Sequence, residues 1–200
     1  MSDVKIKICG LSRLCDIDAV NEAKPDYIGF VFAEKSRRKV DIKTALELQE
    51  NLRRDIISVG VFVDENPEKI LEIVKAGIIA IIQLHGSESE DYIKNIIDLT
   101  GKPVIKSAAN LNDMRKNANY ILFDTIGGGT GKSFDWGILD KSKIDKPFFL
   151  AGGLNIDNVV SAINQVRPFA VDISSGVETN RLKDRRKIIE FVNFVRSEIL

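Results

Sequence analysis

Residues Phe148 to Glu178 read FFLAGGLNIDNVVSAINQVRPFAVDISSGVE. The order is apolar strand, Gly-Gly turn, helix, second apolar strand and polar glycine turn, which together make one βαβ unit. Gly152 and Gly153 allow a sharp turn after Phe148 to Ala151 and let a bulky anion approach main-chain N–H groups. Asn155 stands at the N-cap position ahead of an apolar rhythm of Ile156, Val159, Val160, Ile163 and Val166. The second strand, Ala170 to Ile173, runs into Ser174, Ser175 and Gly176, whose amides and hydroxyls form a second donor cluster. Either turn alone reads as an ordinary turn. Two at successive parallel strand exits point to phosphate, because βα barrels frequently build that site from the loops after strands seven and eight.

Outward from this unit the chain keeps alternating strand and helix. At the N-terminus Val4, Ile6 and Ile8 share one strand face, while Lys5, Lys7 and Cys9 share the other. A barrel strand turns its apolar face to the helices, so Lys7 and Cys9 point inward, with Cys9 at the C-terminal mouth. A helix is expected from Ser12 to Ala23, then a strand from Tyr27 to Phe32 and a helix capped by Asp41 that ends near Leu52. Ile56 to Val63 is a β-branched strand, and Asn66-Pro67 opens a third helix in N-cap and N1 order. Ile78 to Leu84 forms strand four, Ser87 with Glu90 resembles a capping box, and Val104 to Lys106 is a short fifth strand. A weak helix over Asn112 to Asn117, a sixth strand over Tyr120 to Phe123, a short helix over Trp136 to Leu139 and a closing helix from Asp184 to Ile199 complete the series. The pattern predicts a single (βα)8 barrel with parallel strands, one catalytic domain over residues 1–200. A doubly wound open sheet is the alternative, and it lacks a GxGxxG after strand one, where CGLSR stands.

With 29 basic and 29 acidic side chains among 200 residues, no global field favours nucleic acid or an anionic membrane. The expected location is cytoplasmic, since no apolar run approaches the roughly 20 residues of a membrane span. Cys9 and Cys15 lack metal-like spacing and His85 is the sole histidine, so no metal is expected.

At the strand exits a thiol, Cys9, and a carboxyl, Asp124, can run paired proton transfers between carbon and oxygen. Taken singly, a buried thiol is often a small hydrophobe and an Asp after a strand is often a turn residue. His85 either lines the same basin or bonds neighbouring backbone. Barrel parity adds a further expectation: Lys7 pairs with Asp172 on the adjoining eighth strand, because a buried ammonium needs a partner.

The blocks KICGL, GFVFAEKSRR, VGVFV, QLHG, FDT, GGTGKSFDW, LAGGLN and VDISSGVE, spread from Lys7 to Glu178, closely resemble phosphoribosylanthranilate isomerase of tryptophan biosynthesis. The resemblance implies a cofactor-free Amadori rearrangement of N-(5-phosphoribosyl)anthranilate to 1-(2-carboxyphenylamino)-1-deoxyribulose 5-phosphate. It implies Asp124 as general acid and Cys9 as general base, with the Asp pKa displaced upward by desolvation and the Cys pKa downward by positive charge. It places the anthranilate carboxylate on Arg38 in preference to Arg37, and a lid on the loop Gly128, Gly129, Thr130, Gly131 and Lys132.

The expected substrate-binding residues are thus Lys7, Arg38, His85, Gly129 and Asp172, with Gly152, Gly153, Ser174, Ser175 and Gly176 on the phosphate. No cofactor, nucleic acid or membrane partner is expected, and assembly is as monomer or homodimer. Two other readings remain open: a Schiff-base phosphosugar lyase using Lys7 or Lys106, and a phosphate-ligand sensor without chemistry.

Overall fold

The computed structural model describes residues 4–124, 139 and 141–198. The expected helix at Trp136 and the glycine loop with Gly129 lie outside the described residues.

Eight parallel strands close in chain order into a barrel. They are β1 (Lys5–Cys9), β2 (Tyr27–Val31), β3 (Ile57–Phe62), β4 (Ile81–Leu84), β5 (Val104–Ala108), β6 (Tyr120–Phe123), β7 (Phe148–Leu150) and β8 (Ala170–Ile173). Around them lie α1 (Leu14–Ala23), α2 (Ile42–Glu50), α3 (Pro67–Lys75), α4 (Glu90–Thr100), α5 (Val159–Val166) and α6 (Arg185–Glu198). The doubly wound alternative is excluded by closure: Lys7 of β1 stands opposite both Tyr27 of β2 and Asp172 of β8, which leaves no sheet edge.

Strand alternation explains why the sheet closes. Ile6 and Ile8 are fully buried with Val171 and Ile173 in the layer between strands and helices. The opposite faces supply Tyr27, Val59, Ile81, Ile105, Leu122, Phe149 and Ala170 to the barrel interior. Phe149 packs edge-on against Tyr27 and Tyr120 at centroid distances of 5.5 and 5.8 Å. These rings fill the lower interior, and Phe149→Ala is expected to cost about 3–5 kcal/mol through the cavity it leaves.

Several helices start where local chemistry predicts. Asp41 accepts a 2.7 Å bond from the Thr44 amide and so caps the start of α2. Asn66 accepts from the Glu68 amide at 2.9 Å ahead of Pro67.

Others differ for identifiable reasons. The cap of α4 is Ser89, which accepts from Tyr92, whereas Ser87 directs both its amide and its hydroxyl to Asp64. Glu90 receives the amides of Lys116 and Asn117 instead of closing a capping box. The weak helix expected at Asn112 is a single 3₁₀ turn, Leu111–Asp113. Asn155 accepts from Asp157 and Asn158 and closes a turn, so α5 begins only at Val159. After β8 comes a 3₁₀ turn, Ser175–Val177, and then a hairpin of β9 (Glu178–Thr179) and β10 (Leu182–Lys183) that the apolar pattern did not signal.

Candidate active site

A cavity of about 650 Å³ opens at the strand exits, bordered by Cys9, Arg38, His85, Asp124, Gly153 and Ser175 among others. Lys7 lies one inward position below Cys9 on β1.

Cys9 owes its place to two neighbours. Gly29 of β2 sits beside it, and a methyl group there would come within 2.7 Å of the thiol sulfur. Glycine at that position leaves the sulfur its room. Below it, Lys7 is fully buried, and its Nζ donates to Asp172 Oδ2 at 3.0 Å, the pair that barrel parity predicts. Burial disfavours the Lys7 ammonium, but the Asp172 carboxylate and the Cys9 thiolate favour it, and its pKa ends above the ordinary value.

The expected lowering of the Cys9 pKa is reversed. Burial pushes the thiol up; Lys7 pulls it down, Asp172 pushes it up and Lys183 pulls it down, and burial prevails. Charge near a thiol was readable from the sequence, whereas the loss of water around it follows from packing.

Asp124 follows β6, its amide donating to the Ala108 carbonyl at 3.3 Å. His85 lies across from it, with Nε2 3.6 Å from Asp124 Oδ2 and Nδ1 3.2 Å from Gln83 Nε2. The contact with the Gln83 side-chain amide holds the imidazole with Nε2 turned toward Asp124. Burial lowers the His85 pKa, while Asp124 and Asp172 pull it the other way.

Lys106 shares the outward parity of Val104 and Ala108 on β5. Its Nζ donates to the Gly86 carbonyl at 2.7 Å and pairs with the buried Glu88 at 3.2 Å. Glu88 in turn accepts from the amides of Asp64 and Gly86, tying the β3 and β4 exits together.

The loop after β2 meets the hairpin after β8 at Glu178. Arg38 donates through Nε to Oε1 at 2.7 Å and through Nη2 to Oε2 at 3.2 Å. Arg37 Nη2 reaches Oε2 at 2.5 Å, and Lys183 Nζ reaches Oε1 at 2.9 Å. Burial opposes the Glu178 charge, but Arg38, Arg37 and Lys183 hold the carboxyl at a pKa of about 2. Arg38 borders the cavity; Arg37 is turned to the hairpin and also donates to the Arg181 carbonyl at 2.6 Å.

The two expected phosphate turns adjoin. Gly152 and Gly153 have φ of 84° and 68°, the left-handed region that favours glycine. A methyl group on Gly176 would lie 2.2 Å from the Leu154 carbonyl oxygen, so the turn after β8 packs directly against the turn after β7. Gly152, Gly153, Ser174 and Ser175 border the cavity, and Gly176 lies behind them against Leu154. Ser174 Oγ donates to the Cys9 carbonyl at 2.9 Å and receives Lys183 Nζ at 3.2 Å.

Gly29, Gln83, Glu178 and Lys183 had no assigned role in the sequence. Glu178 ends the VDISSGVE block, the one available hint, and Lys183 carried no signal.

A closed βα barrel whose chemistry-bearing side chains gather at the C-terminal mouth of the strands is the architecture of a barrel enzyme. The profile of the family N-(5'phosphoribosyl)anthranilate (PRA) isomerase matches residues 6–194, and the chain belongs to that family of tryptophan-biosynthetic isomerases. The N-(5'-phosphoribosyl)anthranilate isomerase of Endomicrobium trichonymphae is 46% identical, with 96% of this chain and 98% of the relative covered. That of Caldanaerobacter subterraneus is 45% identical over 98% of this chain and 100% of the relative. The crystal structure of phosphoribosyl anthranilate isomerase from Thermotoga maritima superposes with a TM-score of 0.86 at 37% identity, covering 97% of this chain and 99% of that one. A crystal structure of phosphoribosyl anthranilate isomerase in complex with reduced 1-(o-carboxyphenylamino)-1-deoxyribulose 5-phosphate superposes at 0.84 with 37% identity and the same coverage.

Proposed function

We propose that the chain converts N-(5-phosphoribosyl)anthranilate to 1-(2-carboxyphenylamino)-1-deoxyribulose 5-phosphate, with Asp124 as general acid and Cys9 as general base. The observation that carries the assignment is that Cys9 and Asp124 border one cavity from β1 and β6, strands that are not neighbours in the barrel. A substrate between them meets an acid on one side and a base on the other.

Asp124 gives its proton to the ribose ring oxygen as the C1–O bond breaks, and the anilino nitrogen lone pair forms C1=N. Cys9, as thiolate, then takes the proton from C2. The C–H electron pair forms C1=C2 and the C1=N pair returns to nitrogen, giving an enolamine. Loss of the C2 hydroxyl proton and gain of a proton at C1 yield the ketone. Oxidation at C2 balances reduction at C1 within one molecule, so the step calls for no external redox partner. His85, its Nε2 facing Asp124, supports the carboxylate that remains after the first transfer.

The ring carboxylate is assigned to Arg38. The phosphate is assigned to the amides near Gly153, Ser175 and Gly176, whose turns are locked together by Gly176 packing on Leu154. Burial and ion pairing engage both amines, Lys7 with Asp172 and Lys106 with Glu88, which disfavours the Schiff-base reading.

A cytoplasmic location belongs to the same proposal; among the described residues no helix is long and apolar enough to cross a membrane. So does assembly as monomer or homodimer, supported by a solved relative, 37% identical, that is a monomeric form of the dimeric Thermotoga maritima enzyme. The test of function is fluorescence loss of freshly made phosphoribosylanthranilate. Steady turnover is expected, and its absence with intact product-analogue binding would overturn the reading.

A further inference from the structure

Arg38 is held from two sides. Its stem crosses Gly10 so closely that a methyl group there would come within 2.4 Å of Arg38 Cδ. Its head is gripped by Glu178, whose side chain is only 6% exposed. A guanidinium carries its N–H donors in one rigid plane, so the edge engaged by one carboxylate determines which edge is left for another. Glu178 engages the Nε–Nη2 edge, and among the described residues Nη1 has no hydrogen-bond partner. The group keeps a positive balance, because one carboxylate stands against Arg37, Arg38 and Lys183.

We propose that Glu178 is a positioning residue for substrate selection, fixing Arg38 so that its Nη1–Nη2 edge meets the ring carboxylate. The proposal rests on the isomerase reading above. A long side chain already ordered in the free enzyme loses less freedom when substrate arrives. The three cations around Glu178 also prevent it from cancelling the attraction for a second carboxylate. Lys183 completes the arrangement from below: its Nζ also donates to the Ser174 carbonyl at 2.8 Å, which anchors the hairpin carrying Glu178 to the end of β8.

The test compares two probes: reduced 1-(2-carboxyphenylamino)-1-deoxyribulose 5-phosphate and the phenyl analogue without the carboxylate. Wild type is expected to prefer the carboxylated probe, and Arg38→Ala to lose the preference. Glu178→Gln is expected to reduce it by about tenfold, the scale of a misplaced charge-assisted bond, while still binding the phenyl probe as wild type does. Turnover of Glu178→Gln should show a raised KM with little change in kcat, and Glu178→Asp should recover part of the preference. In an Arg38→Ala background Glu178→Gln should add nothing further.

Retention of the full preference by Glu178→Gln, equal weakening of both probes, or additive effects in the double variant would overturn the proposal. If Arg38→Ala keeps the preference, the carboxylate assignment itself fails, an outcome distinct from failure at Glu178 alone.

Discussion

Lys7 Nζ lies 3.0 Å from Asp172 Oδ2 across the seam where β1 meets β8, with neither side chain more than 8% exposed. The pair exists only because the barrel closes, since the two residues are 165 positions apart in the chain. It sets an ammonium directly beneath Cys9. Burial has raised the Cys9 pKa, so alkylation in a Cys15→Ser background should titrate above the ordinary thiol value of about 8.5. Lys7→Met removes the largest opposing charge and should move the titration higher still. An unchanged alkylation profile would show that the ammonium does not govern the thiol.

Cys9→Ala and Asp124→Asn should each lower kcat by roughly 10²- to 10⁴-fold, the usual worth of one proton-transfer group. Both variants should still bind the reduced product analogue, measured by calorimetry. A near wild-type rate in either would remove that residue from the mechanism.

Gly176→Ala forces a methyl group against the Leu154 carbonyl, a backbone atom that cannot swing aside. The two exit turns must separate, and inhibition by inorganic phosphate should weaken by about tenfold. Gly101→Ala is the control: a methyl group there meets nothing within 4 Å, although Gly101, unlike Gly176, has positive φ, at 64°. Its phosphate inhibition should remain that of wild type, and equal losses in both variants would refute the packing argument.

Glu178 has a pKa of about 2 in the folded protein, against about 4.3 for an unperturbed Glu. A depressed carboxyl contributes stability that is present above the unfolded pKa and lost as pH falls through the folded one. The difference in melting temperature between wild type and Glu178→Gln should therefore be largest above pH ~5 and shrink toward pH ~2. A difference independent of pH over that window would mean that the cations around Glu178 do not stabilise its charge.

The amino-acid sequence alone determined the barrel, because period-two alternation in strands such as Val4 to Cys9 and Ala170 to Ile173 declares which face meets the helices. Parity with closure then determined that Lys7 and Asp172 face one another. The strand-end positions of Cys9, His85 and Asp124 were legible for the same reason, since residues that finish barrel strands share one mouth. Local caps were legible where one side chain meets one amide, as at Asp41, and were misplaced where a tertiary partner intervened. Ser87 turned to Asp64, and Glu90 to the amides of Lys116 and Asn117.

Tertiary structure alone decided the grip of Glu178 on Arg38, a contact 140 residues apart that depends on a hairpin with no apolar pattern. It also decided the direction of the Cys9 pKa. Neighbouring charge can be placed from strand parity, but desolvation is a property of every atom packed around the sulfur, and those atoms come from Gly29 and Val31 on β2 and Val61 on β3, whose packing the pattern of one strand does not show.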